Sequence, residues 1–232
     1  MCAWHDSGHG ALTQDEPTDL FGAPLAPRPL LPRLPEGLVY QPEFLSTADE
    51  SALIELVRNL PLAQATYKSY TARRRVVSFG GSFDYDTNQL RPGRPLPATL
   101  AGLRARVAAW MGVAPTALVQ ALVAEYEPGT PLGWHRDVPD FEDVAGVSLG
   151  TPATLRFRPY PPVEPKRADV VRLVAAPRSI YVLRGAARWG WQHSVAPTPE
   201  LRWSITWRTA RAGSRAASLD QQDESAERGA VG

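Results

Sequence analysis

His135 and Asp137 stand two residues apart in Gly133-Trp134-His135-Arg136-Asp137. On an extended backbone, residues i and i+2 face the same side, so one imidazole and one carboxylate can reach a common point. The chain has four histidines. His5 and His9 fall in a Pro/Gly-rich N-terminal stretch, which leaves His193, in Trp191-Gln192-His193-Ser194-Val195, as the candidate third ligand. Two imidazoles and a carboxylate on one face of a metal, with open positions opposite, suit non-haem Fe(II) and dioxygen chemistry. H-x-D by itself is also an ordinary turn pattern, and a distant histidine adds modest weight. A third element adds more. Leu201 to Arg208 alternates strictly, the mark of a strand. Arg202, Ser204, Thr206 and Arg208 share one face; Leu201, Trp203, Ile205 and Trp207 share the other. The polar face is either the solvated side of a sheet or the lining of a barrel. In a barrel its two guanidiniums need anions, and arginine suits carboxylates.

H-x-D, the later histidine and R-x-S-x-T-x-R together resemble the AlkB family of Fe(II)/2-oxoglutarate dioxygenases. Glu125-Tyr126-Glu127-Pro128-Gly129 before the H-x-D and Gly146-Val147-Ser148-Leu149-Gly150 after it match as well, and the resemblance covers residues 37 to 210. It implies an α+β, mainly β fold: a double-stranded β-helix (jelly roll) core with N-terminal helices packed on it. It implies Fe(II) held by His135, Asp137 and His193, with 2-oxoglutarate as cosubstrate and O2 as oxidant. Arg202 would pair with the distal carboxylate of 2-oxoglutarate, helped by Tyr126. Ser204 and Arg208 would lie nearer its 2-oxo-acid end or organise the metal side. No catalytic residue beyond the metal ligands is implied. The implied activity is oxidative demethylation of N-alkylated bases in nucleic acid, as DNA or RNA alkylation repair or RNA modification. It would release formaldehyde, succinate and CO2. Two alternatives stand beside it: an AlkB-like oxygenase acting on a protein or small molecule, and a catalytically silent nucleic-acid-binding module. One departure from the family pattern is Ala124, where many members carry Asn two residues before the motif tyrosine; Ser204 also stands where Asn is common.

The elements that position these residues read as follows. Gly37 to Phe44 is an entry strand. Ser46 or Thr47 caps a helix, with Asp49 or Glu50 three residues on, and Leu53, Ile54, Val57 and Leu60 as its apolar stripe. Leu100 to Met111 is a second helix, stopped by Gly112. Strands follow at Leu122 to Tyr126, Leu132 to Asp137, Val144 to Leu149, Ala153 to Arg158, Asp169 to Val174, Ser179 to Leu183, Trp189 to Val195 and Leu201 to Arg208. Many short strands at this spacing, with Gly/Pro turns, indicate a sandwich or barrel.

Residues 62 to 111 carry eight basic side chains against two acidic ones, a local balance of +6 hidden by the overall charge of +1. Basic residues interleaved with aromatics can hold a phosphate backbone and stack on bases; a solvated charged strand with core aromatics has the same composition. The resemblance implies a nucleotide-recognition lid at 62–96, with Arg73, Arg74 and Arg75 and the aromatics Phe79, Phe83 and Tyr85 as substrate-binding candidates. Which aromatic stacks on the base stays open. The implied partner is alkylated nucleic acid, single-stranded or with its base flipped out. The expected organisation is a disordered tail at 1–36, an oxygenase domain at 37–211 with its jelly-roll core at 118–209, and a disordered tail at 212–232. Cys2 is the sole cysteine, so no disulfide framework exists, and no apolar run approaches membrane-spanning length. The N-terminus lacks the pattern of a signal peptide. The expectation is a cytoplasmic monomer with no membrane partner.

Overall fold

The computed structural model describes residues 34–67, 70–84, 87, 89–164 and 169–214. The N-terminal elements are β1 (Leu38–Gln41), α1 (Thr47–Arg58), β2 (Ala63–Tyr67), β3 (Tyr70–Phe79), β4 (Gly81–Asp84), β5 (Gln89–Pro92) and α2 (Ala101–Met111). β1 is shorter than the expected Gly37-to-Phe44 strand, because Pro42 has no N–H to offer the ladder and Glu43 turns at φ +52°. Ser46 is the cap of α1: its Oγ accepts from the Asp49 N–H at 3.1 Å, and its own N–H donates to Asp49 Oδ2 at 3.0 Å. The Asp49 carboxyl is held below its usual range by the bonds from Ser46 and by Arg106, which donates to it at 2.9 Å. α2 ends at Gly112, whose φ of +73° suits glycine at that cap.

Eight strands follow: β6 (Leu118–Tyr126), β7 (Leu132–His135), β8 (Phe141–Gly150), β9 (Ala153–Pro159), β10 (Val171–Ala175), β11 (Ile180–Leu183), β12 (Trp191–Val195) and β13 (Arg202–Ala210). Their pairing is nested. β6 pairs with β13, β7 with β12, β8 with β11 and β9 with β10, all antiparallel. That is a long hairpin rolled over itself, the jelly roll. Rolling produces two sheets, β11-β8-β13-β6 and β10-β9-β12-β7. β1 extends the first on its β11 edge, and β3 then β2 extend it on its β6 edge, giving seven strands. A turn of helix, α3 (Gly185–Trp189), stands where the sequence pattern extends the twelfth strand back to Trp189. Ala186 and Ala187 favour that turn, and the Gly190 N–H closes it on the Ala186 carbonyl at 2.8 Å.

Two apolar clusters sit on opposite sides of the seven-stranded sheet. On its back, Trp203, Ile205, Trp207, Val147, Leu149 and Val123 pack against α1 and α2. Between the sheets, Leu155, Phe157, Val144, Leu183 and Val195 form the second. β13 therefore runs between a helical layer and the barrel interior, and its alternation is the boundary. Its polar face is buried: Arg202 is 1% exposed, Ser204 4% and Arg208 8%. The face lines the barrel. The Ile205 side chain has no solvent exposure on the apolar side. Ile205→Ala should cost about 2–5 kcal/mol, read as a lowered urea midpoint at unchanged slope.

Candidate metal centre and cosubstrate pocket

His135 ends β7 and His193 lies opposite it on β12, in direct register. Their ring centroids are 4.2 Å apart. Asp137 follows β7 by two residues, and its Oδ2 approaches His193 Nε2 to 3.5 Å. One ligand atom from each of the three lies within 4.8 Å of the others, so a single cation can touch all of them. His135 Nδ1 is 2.8 Å from the Gly133 carbonyl. A proton on Nδ1 donates there, which leaves the Nε2 lone pair for a metal. Burial pushes the His193 pKa down to about 3, with His135 adding to the effect, and burial also lowers His135. Both rings are therefore neutral imidazoles at neutral pH, the form that ligates.

Burial works to raise the Asp137 carboxyl pKa, but the positive charge around it, that of Arg208 foremost, overcomes it and holds the group well below the usual carboxylate range. Arg208 Nε and Nη2 both donate to Oδ1, at 2.9 and 2.5 Å. Oδ2 is buried and accepts no hydrogen bond. One oxygen is held and the other is left facing the histidines, a division that suits a monodentate ligand. Arg208 is itself placed by Gln120, whose Oε1 accepts from Nη1 at 2.7 Å, while Gln120 Nε2 donates to the Gly81 carbonyl at 3.0 Å. Arg188 on α3 donates to the carbonyls of Val138 and Phe141 at 2.8 and 2.9 Å and so pins the loop that follows Asp137.

His135, Asp137 and His193 open into a cavity of about 780 Å³ between the sheets. Its far wall is laid out in rows across the strands. Arg202 pairs with Tyr126, Ser204 with Ala124 and Ser148, Thr206 with Gly146, and Arg208 with Gln120. Arg202 therefore lies three rows from the residue that holds Asp137. Its guanidinium sits 5.0 Å from the Tyr126 ring centroid, and its buried Nε and Nη1 have no hydrogen-bond partner among the described residues. A buried cation with open donors needs an anion, and the planar fork fits a carboxylate. The residues thus fit a dicarboxylate stretched from Arg202 toward the triad.

Arg202, Tyr126, Ser204 and Arg208 all line this cavity with the three metal-ligand candidates. Of the substrate candidates, Arg73, Arg74 and Phe83 line it too. Two others do not. Arg75 turns to the opposite side of β3 and pairs with the buried Glu125, at 2.6 Å from Nη2 and 2.7 Å from Nε. Phe79 is 5% exposed and packed in the core under the helices, which leaves no face for a base. Tyr85 lies outside the described residues. Gln120, Arg188 and Tyr181 are the residues that sequence reasoning passed over. Tyr181 lines the cavity opposite Gly146, and burial pushes its phenol up to about 12. A Cβ on Gly146 would lie 2.4 Å from the Tyr181 ring. Gly146, within the Gly-Val-Ser-Leu-Gly stretch, is thus the space that ring occupies.

Residues 37–215 match the model of the 2OG-Fe(II) oxygenase superfamily. The chain belongs to that superfamily. Several of its relatives carry AlkB-type names. It is 28% identical over 173 residues to the tRNA (carboxymethyluridine(34)-5-O)-methyltransferase alkbh8 of Xenopus tropicalis, covering 72% of this chain and 26% of that protein. It is 31% identical over 169 residues to the mitochondrial alpha-ketoglutarate-dependent dioxygenase alkB homolog 7 of Bos taurus, covering 72% and 70%. The chain spans about a quarter of the length of the alkbh8 relatives it matches. The solved structure of OsALKBH1 superimposes with a TM-score of 0.62 at 14% identity, over 76% of this chain and 98% of that one. The likeness confirms the fold. The superfamily's chemistry takes Fe(II), 2-oxoglutarate and O2, and His135, Asp137, His193 and Arg202 are the residues here that would hold the iron and the cosubstrate. When bound, the iron and cosubstrate supply oxidising power; this chain supplies position, charge and exclusion of water.

Two substitutions check this layout. Arg202→Gln removes charged hydrogen bonds worth about 1.5–3 kcal/mol, so the KM for 2-oxoglutarate should rise roughly ten- to hundredfold with Fe(II) affinity retained. Gly146→Ala should force the Tyr181 ring out of its slot, at about 1–3 kcal/mol of stability, seen as a lower melting temperature together with weaker 2-oxoglutarate binding.

Proposed function

We propose that this protein removes N-alkyl groups from bases in nucleic acid by oxidising the alkyl carbon. The observation that carries the reading is the sharing of one cavity. Arg73 and Phe83, from the two hairpins that precede the barrel, line the same space as His135, Asp137 and His193. A guanidinium and an aromatic face in the same cavity as the three ligand candidates suit a phosphate and a flat base. Trp134 and Arg136 flank the first ligand on the same cavity. Relatives point the same way: alkbh8 of Xenopus tropicalis carries a tRNA name, and a 29% identical protein of Arabidopsis thaliana is called an alkylated DNA repair protein.

In the proposed reaction 2-oxoglutarate is the two-electron reductant of O2. One oxygen atom enters succinate as CO2 leaves; the other enters the N-methyl C–H bond. The hydroxymethyl product then breaks its C–N bond: the electron pair stays on the base nitrogen, the hydroxyl oxygen becomes the carbonyl of formaldehyde, and the hydroxyl proton passes to solvent. Arg202 fixes the distal carboxylate, Arg208 fixes Asp137, and the base reaches the triad unpaired from its strand.

The test is release of formaldehyde and succinate from single-stranded DNA and RNA oligomers carrying 1-methyladenine or 3-methylcytosine, with Fe(II), 2-oxoglutarate and ascorbate. Turnover is expected, and Asp137→Ala should abolish it. Succinate formation without any base demethylation would overturn the nucleic-acid reading and move the substrate to a protein or small molecule.

A further inference from the structure

Among the described residues of its strands, the outer face of the β10-β9-β12-β7 sheet carries basic side chains and no acidic one. Alternation along β9 turns Leu155 and Phe157 inward and Arg156 and Arg158 outward. Register places Arg172 of β10 beside Arg156, and Ser194 and Gln192 of β12 beside Arg156 and Arg158. Trp134 occupies the β7 edge of the same face. Arg156 Nε donates to Ser194 Oγ at 3.0 Å, and Arg158 Nε donates to Gln192 Oε1 at 2.9 Å. Both guanidiniums lie over the Trp134 ring, at 5.4 and 4.5 Å from its centroid. Arg136, two residues on, lies 3.7 Å over the Tyr160 ring.

Neutral partners orient these arginines without neutralising them. Among the described residues, none of Arg136, Arg156, Arg158 and Arg172 forms an ion pair with a carboxylate. Their side-chain entropy is already reduced by the hydrogen bonds and the indole, while Nη donors stay available. A charged face serving only for solubility would carry both signs and mobile side chains. The face is also continuous with the cavity, because Trp134 and Arg136 belong to both.

We propose that this face is a track for the phosphodiester backbone of a single-stranded nucleic acid, holding the strand beside the nucleotide that enters the cavity. The proposal rests on the nucleic-acid reading above. It places phosphate contacts on the rigid sheet, away from the hairpins that border the cavity on its other side. Such contacts fix register and affinity without reading sequence.

Fluorescence anisotropy with an unmodified single-stranded oligonucleotide, across a salt series, tests it. Replacing Arg156, Arg158 and Arg172 by Gln removes three phosphate contacts. It should flatten the slope of log K against log salt by about 2 and weaken binding roughly tenfold or more near physiological salt. Val174 is 58% exposed on the same face and makes no part of this hydrogen bonding. Val174→Glu puts an anion there without deleting a contact, so it should weaken binding several-fold where Val174→Gln does not. That pair keeps the test decisive if the triple variant unfolds. Binding by the wild type with unchanged slope and affinity in the triple variant and in Val174→Glu would overturn the track and leave the demethylase reading standing. Absence of any oligonucleotide binding by the wild type would overturn both.

Discussion

Asp137 is the charge on which the proposed metal centre depends, and Arg208 is what allows it to be there. A carboxylate placed among buried side chains would ordinarily take up a proton, and a protonated acid is a poor metal ligand. The two N–H donors of Arg208 prevent this by fixing charge on Oδ1. They also decide which oxygen is left to face His135 and His193. Removing one member of such a buried pair costs about 3–5 kcal/mol, because the other charge is stranded. Gln120 and Arg188 extend the same constraint outward, one to the hairpins through Gly81, the other to the loop after Asp137.

β13 carries both halves of this arrangement. Its period of two sends Trp203, Ile205 and Trp207 into the helical layer and Arg202, Ser204, Thr206 and Arg208 into the barrel. The apolar side supplies the burial that holds the strand central in its sheet. The polar side then presents two guanidiniums in fixed register, one neutralised by Asp137 and one with open donors. Stability and the proposed site are thus written on alternate residues of one strand, and a shift of one residue in register would exchange them.

This is why so much of the site is legible in the sequence. The strand period, the H-x-D spacing and the second histidine all act over a few residues, and cross-strand register of His135 with His193 does the rest. The same period, applied to β3, places Val77 and Phe79 together on the core side with Arg75; reading that segment by composition as basic and aromatic obscures it. Arg188 gives no local signal, since its role depends on three carbonyls about fifty residues away in the chain. Gln120 is equally silent, because the groups it joins meet only after β6, β3 and β13 have paired. The helical turn of α3 is missed for a related reason. It is one turn long, and its apolar residues are also compatible with a strand edge.

The wall of the cavity shows how a departure from the family pattern can be accommodated by shape. Ala124 stands in the row with Ser204 and Ser148 and offers a methyl group where the family resemblance leads one to expect an amide. One row away Gly146 offers no side chain at all. Tyr181 fills that space with an aromatic ring whose oxygen would lie 2.6 Å from a Cβ on Gly146. Arg202 and Tyr126 at one end, and Asp137 and Arg208 at the other, all act on the phenol's charge, so its oxygen sits in the field of both ends of the groove. Small residues on β6 and β8 thus give the groove its width, and a large residue on β11 brings a hydroxyl back to its middle.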